Sequence, residues 1–283
     1  MNIIGFGTGG CKIAKLFEKY SQYNVYYADV GRAGPNSFIL PQTKTMEEAE
    51  KKTPKFKKLN KLKGSVVFIC TAGGNTSGSI LAFLEQIKQL DITVLYIQPD
   101  ENLLNKEAAI REKVTFNILQ QFARSGLLKK IFLFNNFEMS KILGNLSVME
   151  YFNKINSTIA NSFHMLNYFK NTEAIVKSVS DPLEVNRVAT IGLYDMEKGE
   201  EKYFFDIENI REKNFYFAFN ENVLKGEANL LNKISEKMKK AGQSEFTDIS
   251  YNITATTYEE NFAYIEAHTN FIQGEKIVDK SPE

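Results

Sequence analysis

Two rhythms of apolar and polar positions run along this chain. In the first half, short unbroken apolar runs at residues 3–6, 25–28, 66–70, 92–97 and 131–134 read as strands buried on both faces. Stretches with a helical apolar stripe lie between them, at 11–20, 79–90 and 105–124. Strand alternating with helix predicts a Rossmann-like, parallel, doubly wound α/β sheet, in which ligands bind beyond the carboxyl ends of the strands. The loops that follow each strand are therefore where function is to be sought.

The rhythm changes at Ser147. Ser147 and Glu150 have the spacing of a capping box. Val148, Phe152, Ile155, Ile159, Phe163, Leu166 and Phe169 then recur with helical period, which predicts a long central helix over 147–172, about 35 Å of it from Ser147 to Phe169. Beyond it, 188–194 and 215–219 read as strands, and 228–240 as an amphipathic helix stopped by Gly242. The segments "DISYNITAT" and "NFAYIEAHT" alternate with period two, so a smaller α+β unit is expected here. The expected organisation is a first domain over 1–146, the central helix over 147–172, a C-terminal α+β domain over 173–273 and a short polar tail over 274–283. Residues 31–64 carry no clear pattern. Their basic run "KKTPKFKKLNKLKG" reads as a solvated helix face before it reads as a nucleic-acid patch.

Composition narrows the class. The net charge of +1 gives no general attraction to nucleic acid or membrane surfaces. Two cysteines, Cys11 and Cys70, make no disulfide framework and suit a reducing compartment. No run approaches the ~20 apolar residues of a membrane span, and the start "NIIGF" lacks the features of a signal peptide. A cytoplasmic location is expected. His164 and His268 are too few for a metal site, and His164 reads as a satisfied residue of the long helix.

The candidate chemistry lies in two glycine-bearing turns. "IIGFGTGGCKIA" runs from a strand into a helix, with Gly5, Gly7 and Gly10 in the G-x-G-x-x-G spacing. On its own it admits a dinucleotide or a nucleoside triphosphate. "TAGGNTSGS", residues 71–79, is a second Gly/Ser/Thr turn at the end of a second strand. Glycines let backbone amides approach an anion, hydroxyls add donors, and the following helix presents its positive end. Two such turns on neighbouring strands would enclose one triphosphate from two sides.

At these residues the chain resembles the tubulin/FtsZ superfamily of GTP-binding filament proteins. The first turn is similar to that family's first nucleotide loop, with Lys12 where Asn is common. "GGNTSGS" resembles the signature G-G-G-T-G-[ST]-G, with Asn75 and Ser77 in glycine positions and Thr76 in the place of the family Thr. The resemblance implies that GTP or GDP is held by Gly7, Thr8, Gly9, Gly10, Cys11 and Lys12 of the first turn. From the second it implies Ala72, Gly73, Gly74, Asn75, Thr76, Ser77 and Gly78. It implies Asp29 at the end of the second strand, a turn at Pro99, and Glu107 and Arg111 near ribose and phosphates. It implies Asn135, with Asn136 beside it, at the nucleoside, and Phe152 and Asn156 stacking on and reading guanine. On residue chemistry alone, Glu107 and Arg111 read equally as a surface pair, Phe152 as core, and Asn135 and Asn136 as turn residues.

Hydrolysis, by the same resemblance, depends on a second copy of the chain in a head-to-tail homopolymer. The acidic segment "SVSDPLEVNR" carries Asp181 and Glu184, which are expected to act on the neighbour's nucleotide, with Mg²⁺ held by phosphates and water. Val179 departs from the family pattern. Pro182 reads alternatively as the first residue of a helix capped by Asp181. The compact length suggests a divergent, phage- or plasmid-type member that positions DNA or virions, or acts in division, with no membrane and no direct nucleic-acid contact. Two rival readings stay open: a NAD(P)-dependent Rossmann oxidoreductase using the first turn and Asp29, and a tubulin-like scaffold that no longer hydrolyses.

Overall fold

A computed structural model describes residues 1–144, 146–241 and 246–274. Gly242, expected to stop a helix, and nearly all of the expected tail lie outside the described residues. In chain order the elements are β1 (Asn2–Phe6), α1 (Gly7–Lys15), β2 (Asn24–Val30), β3 (Ser37–Leu40), α2 (Met46–Lys52), β4 (Ser65–Thr71) and α3 (Ser79–Leu84). They continue with β5 (Asp91–Gln98), α4 (Lys106–Arg124), β6 (Lys130–Asn135), α5 (Asn136–Leu143), α6 (Tyr151–Lys170), β7 (Val176–Lys177), β8 (Val188–Asp195) and β9 (Glu200–Tyr203). The last are β10 (Glu212–Asn220), α7 (Glu221–Gly226), α8 (Leu230–Ala241), β11 (Asp248–Thr256) and β12 (Phe262–Thr269).

All twelve strands belong to one sheet, ordered β3-β2-β1-β4-β5-β6-β8-β12-β10-β11-β7, with β9 paired to β8. Strands β3 to β8 along this order run parallel. The remainder is mixed, with β12 antiparallel to both β8 and β10 and β11 parallel to β10. The five apolar runs of the first half are the five strands β1, β2, β4, β5 and β6, each buried on both faces because helices cover both sides.

Two cores flank the parallel strands. On one face Phe6, Phe38, Phe68 and Phe83 pack with ring centroids 5.2–5.8 Å apart. Full burial of one such ring is worth roughly 1.5–3 kcal/mol. On the other face α1 and α6 cover Ile3, Val67, Leu95 and Phe132, with Phe17, Ile155, Ile159, Phe163 and Leu166 between the layers. A third cluster lies under α8, where Ile234 and Met238 meet Phe215, Phe217 and Ile253. His164 is satisfied as expected: its Nδ1 lies 3.0 Å from Tyr23 Oη and its ring stacks on Tyr20.

Several boundaries differ from the expected ones. α1 begins at Gly7 and not at residue 11, so the glycine turn is itself the first turn of the helix. The third helix is split: α3 tightens into a 3₁₀ turn at Glu85–Ile87. The long helix starts at Tyr151, four residues after Ser147. Ser147 Oγ donates to the Glu150 carboxylate (3.1 Å) instead of capping an amide, and no capping box forms there. Val148 (92% exposed) and Phe152 (52%) consequently fall outside the core. The patternless stretch 31–64 holds β3, α2 and a 3₁₀ turn at Leu59–Lys61, with most of its lysines exposed.

Candidate functional site

Strand register brings the two glycine turns together. β1 and β4 are parallel neighbours with Phe6 opposite Cys70, so both turns leave the sheet side by side. On the outer flank Ala28 of β2 is opposite Phe6, which sets Asp29 beside the first turn. On the inner flank Gln98 of β5 is opposite Asn135 of β6. All five strand ends lie at the carboxyl edge of the parallel sheet.

The first turn is shaped by two glycines for different reasons. Gly7 has φ +67°, a left-handed conformation that L side chains rarely adopt, and a Cβ there would sit 3.7 Å from Thr76 Oγ1 of the second turn. Gly10 is a packing requirement, since a Cβ would lie 2.1 Å from the Ile69 carbonyl oxygen of β4. The free amides of the first helical turn therefore belong to Gly7, Thr8 and Gly9. Thr8 Oγ1 donates to Asp29 Oδ2 (3.2 Å), and Asp29 Oδ1 accepts from the Val30 amide (2.9 Å). Cys11 points inward: its thiol donates to the Gly5 carbonyl (3.2 Å), and burial, aided by the Asp29 charge, pushes its pKa up to about 11. Lys12 is exposed one helical turn beyond Thr8.

The second turn runs from Ala72 through Gly73 and Gly74 into a 3₁₀ turn at Asn75–Gly78 that leads into α3. Asn75 Nδ2 donates to the Thr43 carbonyl (3.3 Å), while Ser77 and Gly78 are buried. Helix α4 fixes this turn from outside. Arg111 Nε donates to the Gly73 carbonyl (2.8 Å), and its Nη1 reaches exposed Glu107 (3.4 Å). The Glu107–Arg111 pair is thus real, and its arginine also clamps the glycine turn. The next residue, Glu112, is buried and accepts from Tyr96 Oη (2.8 Å) and Gln98 Nε2 (3.1 Å). Desolvation raises the pKa of this carboxyl.

Gln98 carries the network on to the end of β6. Asn135 Nδ2 donates to Gln98 Oε1 (2.7 Å), and Asn135 Oδ1 caps α5 by accepting the Glu138 amide (3.0 Å). Both ends of the Asn135 amide are thus engaged. Asn136 is buried, and its backbone carbonyl accepts from Tyr151 Oη (3.3 Å). Phe152 stands out from the start of α6 against Tyr151, ring centroids 5.1 Å apart, and Asn156 is half-buried one turn further on. The core reading of Phe152 is overturned by its exposure.

Asp181 and Glu184 lie elsewhere. Their segment leads into β8, whose Val188 is opposite Ile131 near the start of β6, and the Ile131 amide donates to the Arg187 carbonyl (2.8 Å). The two carboxylates therefore sit at the amino edge of the parallel strands, the opposite end from the glycine turns. No helix follows Pro182: the Asn186 amide donates to the Leu183 carbonyl (2.8 Å) and the chain turns straight into β8, so Asp181 caps nothing. Glu212 anchors this loop by accepting from the Leu183 amide (2.9 Å) and Asn186 Nδ2. Glu184 is 94% exposed, 3.6 Å from Arg187.

No protein-family model matches the chain, and no curated protein matches its sequence. Its fold is nevertheless similar to solved structures. A GTPγS-form protofilament of TubZ from Bacillus thuringiensis serovar israelensis superposes with a TM-score of 0.74 at 15% identity, covering 94% of this chain and 86% of that one. The fold is that of the tubulin/FtsZ superfamily. An empty FtsZ dimer from M. jannaschii gives a TM-score of 0.69 at 13% identity, over 95% of this chain and 87% of that one. The GDP-bound CetZ1 monomer from Haloferax volcanii gives 0.67 at 16% identity, over 96% and 94%.

On this tubulin/FtsZ frame, the supporting residues that sequence reading passed over are Gln98, Glu112 and Tyr151. Glu112 left a trace: it falls on the apolar stripe of α4 with Thr115, Phe116 and Leu119, where a carboxylate needs a partner. Gln98 and Tyr151 left none, because each acts through a residue distant in sequence. Among the described residues no group of three or more His, Cys, Asp or Glu side chains is able to hold a metal ion, and no helix is long and apolar enough to cross a membrane.

Proposed function

We propose that this chain binds GTP or GDP between its two glycine turns and assembles head-to-tail with copies of itself, hydrolysing GTP at the contact. The observation that carries the reading is the separation of parts. The paired turns stand at one edge of the parallel sheet, and the exposed carboxylates Asp181 and Glu184 stand at the other. One copy's carboxylates are remote from its own turns, whereas stacking copies along the strand direction brings them to the neighbour's turns. The TubZ and FtsZ structures it is similar to are a protofilament and a dimer.

The residues fit a triphosphate. Gly7, Thr8 and Gly9 offer amides at a helix start, which favours anions. Thr76 faces Gly7 from the second turn, with Gly73, Gly74, Asn75, Ser77 and Gly78 forming its wall and Arg111 holding it. Lys12 supplies a cation, Asp29 orients Thr8, and Phe152 and Asn156 are available to a purine face and edge. Two adjacent turns favour a triphosphate over the NAD(P) alternative, which engages the first alone. Mg²⁺, carried by phosphates and water, would neutralise developing charge. Asp181 and Glu184 of the adjoining copy orient and deprotonate the attacking water. The functional units follow: a nucleotide half over 1–146, a connecting helix, and a C-terminal half over 173–273 that carries the carboxylates forward.

The test is GTP turnover against protein concentration. Steep, cooperative dependence is expected. Asp181→Ala and Glu184→Ala should each lower turnover at least 100-fold while binding GTP normally. Filaments without turnover in the unaltered chain would support the scaffold alternative, and unchanged turnover in both variants would remove the assigned roles.

A further inference from the structure

At the amino edge of β4, β5 and β6 a cavity of about 230 Å³ opens beside the last turns of α6. Charged residues line it: Asp91, Lys129, Lys130, Lys170, Asp181 and Glu266. Fully buried Glu266 is already committed, accepting from Lys170 Nζ (2.6 Å) and Tyr216 Oη (2.9 Å). Lys130 is the looser partner of the same carboxylate, with its ammonium 5.4 Å from the Phe132 ring centroid. Its side chain is 15% exposed, its ammonium lies 3.7 Å from Glu266, and it donates no hydrogen bond to any described residue. A largely desolvated ammonium that shares its buried counter-ion with Lys170, makes no hydrogen bond among the described residues and opens on a cavity has donors to offer a second anion.

We propose that Lys130 is a phosphate-contacting residue supplied in trans: it meets the terminal phosphate oxygens of the adjoining copy's GTP, next to the water that Asp181 orients. This rests on the head-to-tail reading above. Nothing in the glycine turns duplicates the role, since Lys12 approaches from the nucleotide's own copy. The cation would stabilise charge on the equatorial oxygens during transfer, as positioned cations do in phosphoryl transfer generally. Its surroundings tune it. Burial draws the Lys130 pKa down to about 8 against the opposing pull of Glu266, with Lys170 and Lys129 lowering it and Asp181 raising it. Across the same node His268 is buried and held neutral, Tyr216 is hydrogen-bonded to Glu266, Asp91 lines the rim, and the Met1 amine is bonded to the Gln22 carbonyl.

The experiment compares unaltered protein, Lys130→Gln and Lys130→Arg, measuring GTP binding, filament mass and turnover per unit filament. GTP binding by unassembled copies should be unchanged in both variants. Lys130→Gln should lose at least tenfold in turnover at equal filament mass, and Lys130→Arg should keep it within about threefold. Turnover per unit filament should begin its alkaline fall at a lower pH in the unaltered chain than in Lys130→Arg, whose guanidinium stays charged. Should Lys130→Gln fail to fold or assemble, the pH comparison of the other two decides. Turnover by Lys130→Gln within twofold of the unaltered chain, or an identical alkaline fall in Lys130→Arg, overturns the proposal. Absence of both filaments and turnover in the unaltered chain strikes the function proposed above instead, which keeps the two failures apart.

Discussion

Single atoms decide the glycine turns. Replacing Gly10 by Ala puts a methyl group into the Ile69 carbonyl oxygen of a central strand, where backbone has to move. Overpacking of this kind costs about 3 kcal/mol, and a denaturant titration of Gly10→Ala should report a loss of that size. Gly7→Ala is a milder change. The position is open, with Thr76 Oγ1 at 3.7 Å, and only the left-handed backbone resists, at roughly 1–2 kcal/mol. Arg111 tests the clamp. Lysine there keeps the charge and loses the planar donor to the Gly73 carbonyl, so Arg111→Lys should weaken GTP binding roughly tenfold, consistent with about 1.5 kcal/mol for one charge-assisted bond. Calorimetric titration with GTP measures it, and unchanged affinity would mean that the turn holds its shape unaided.

Elements show what the sequence makes legible. Five of the parallel strands, β1, β2, β4, β5 and β6, were readable because burial on both faces writes itself as unbroken apolar runs, and β11 and β12 because one polar face writes itself as alternation. Caps were less legible. Ser147-x-x-Glu150 has the capping-box spacing and does not cap, because its two side chains bond each other and the chain enters α6 four residues later. Thr45-x-x-Glu48, inside the stretch with no pattern, is the one that does. Thr45 Oγ1 accepts the Glu48 amide (3.1 Å) and Glu48 Oε2 reaches back to the Lys44 amide (2.8 Å). Spacing alone does not distinguish them, since what differs is where the helix begins: directly after Thr45 in α2, but four residues after Ser147 in α6. Thr45→Ala should therefore cost about 1 kcal/mol, and Ser147→Ala less than about 0.5 kcal/mol, both measured by chemical denaturation. At the candidate site, the glycine turns were legible from local pattern, whereas Asp29 and Arg111 came only with the family resemblance. The Glu112–Gln98–Asn135 chain was not, because it is assembled from three elements.

The molecule as a whole carries its charge in an unusual place. Glu266, Lys170, Lys130 and His268 meet under the long helix, joining β6, α6 and β12. Burial holds the His268 pKa down at about 4, against 6.5 for the free side chain, with the nearby Lys130 charge acting in the same direction. The unfolded chain therefore takes up this proton first as pH falls. Stability is full above about pH 6.5 and is eroded down to about pH 4, by about 3 kcal/mol in all. Unfolding free energies at pH 7 and 5 should show this slope in the unaltered chain and a flatter one in His268→Gln. An equal slope in both would place the acid sensitivity elsewhere. The sheet adds a mechanical consequence. Edge strand β7 aside, its long run of strands narrows at one seam, where β6 meets β8 through three residue pairs, Ile131–Val188, Phe132–Ala189 and Leu133–Thr190. Twist between the two flanks concentrates on those three rungs, as load on a ladder finds its weakest tread. Amide hydrogen exchange there should be the first to quicken when one flank is pulled against the other.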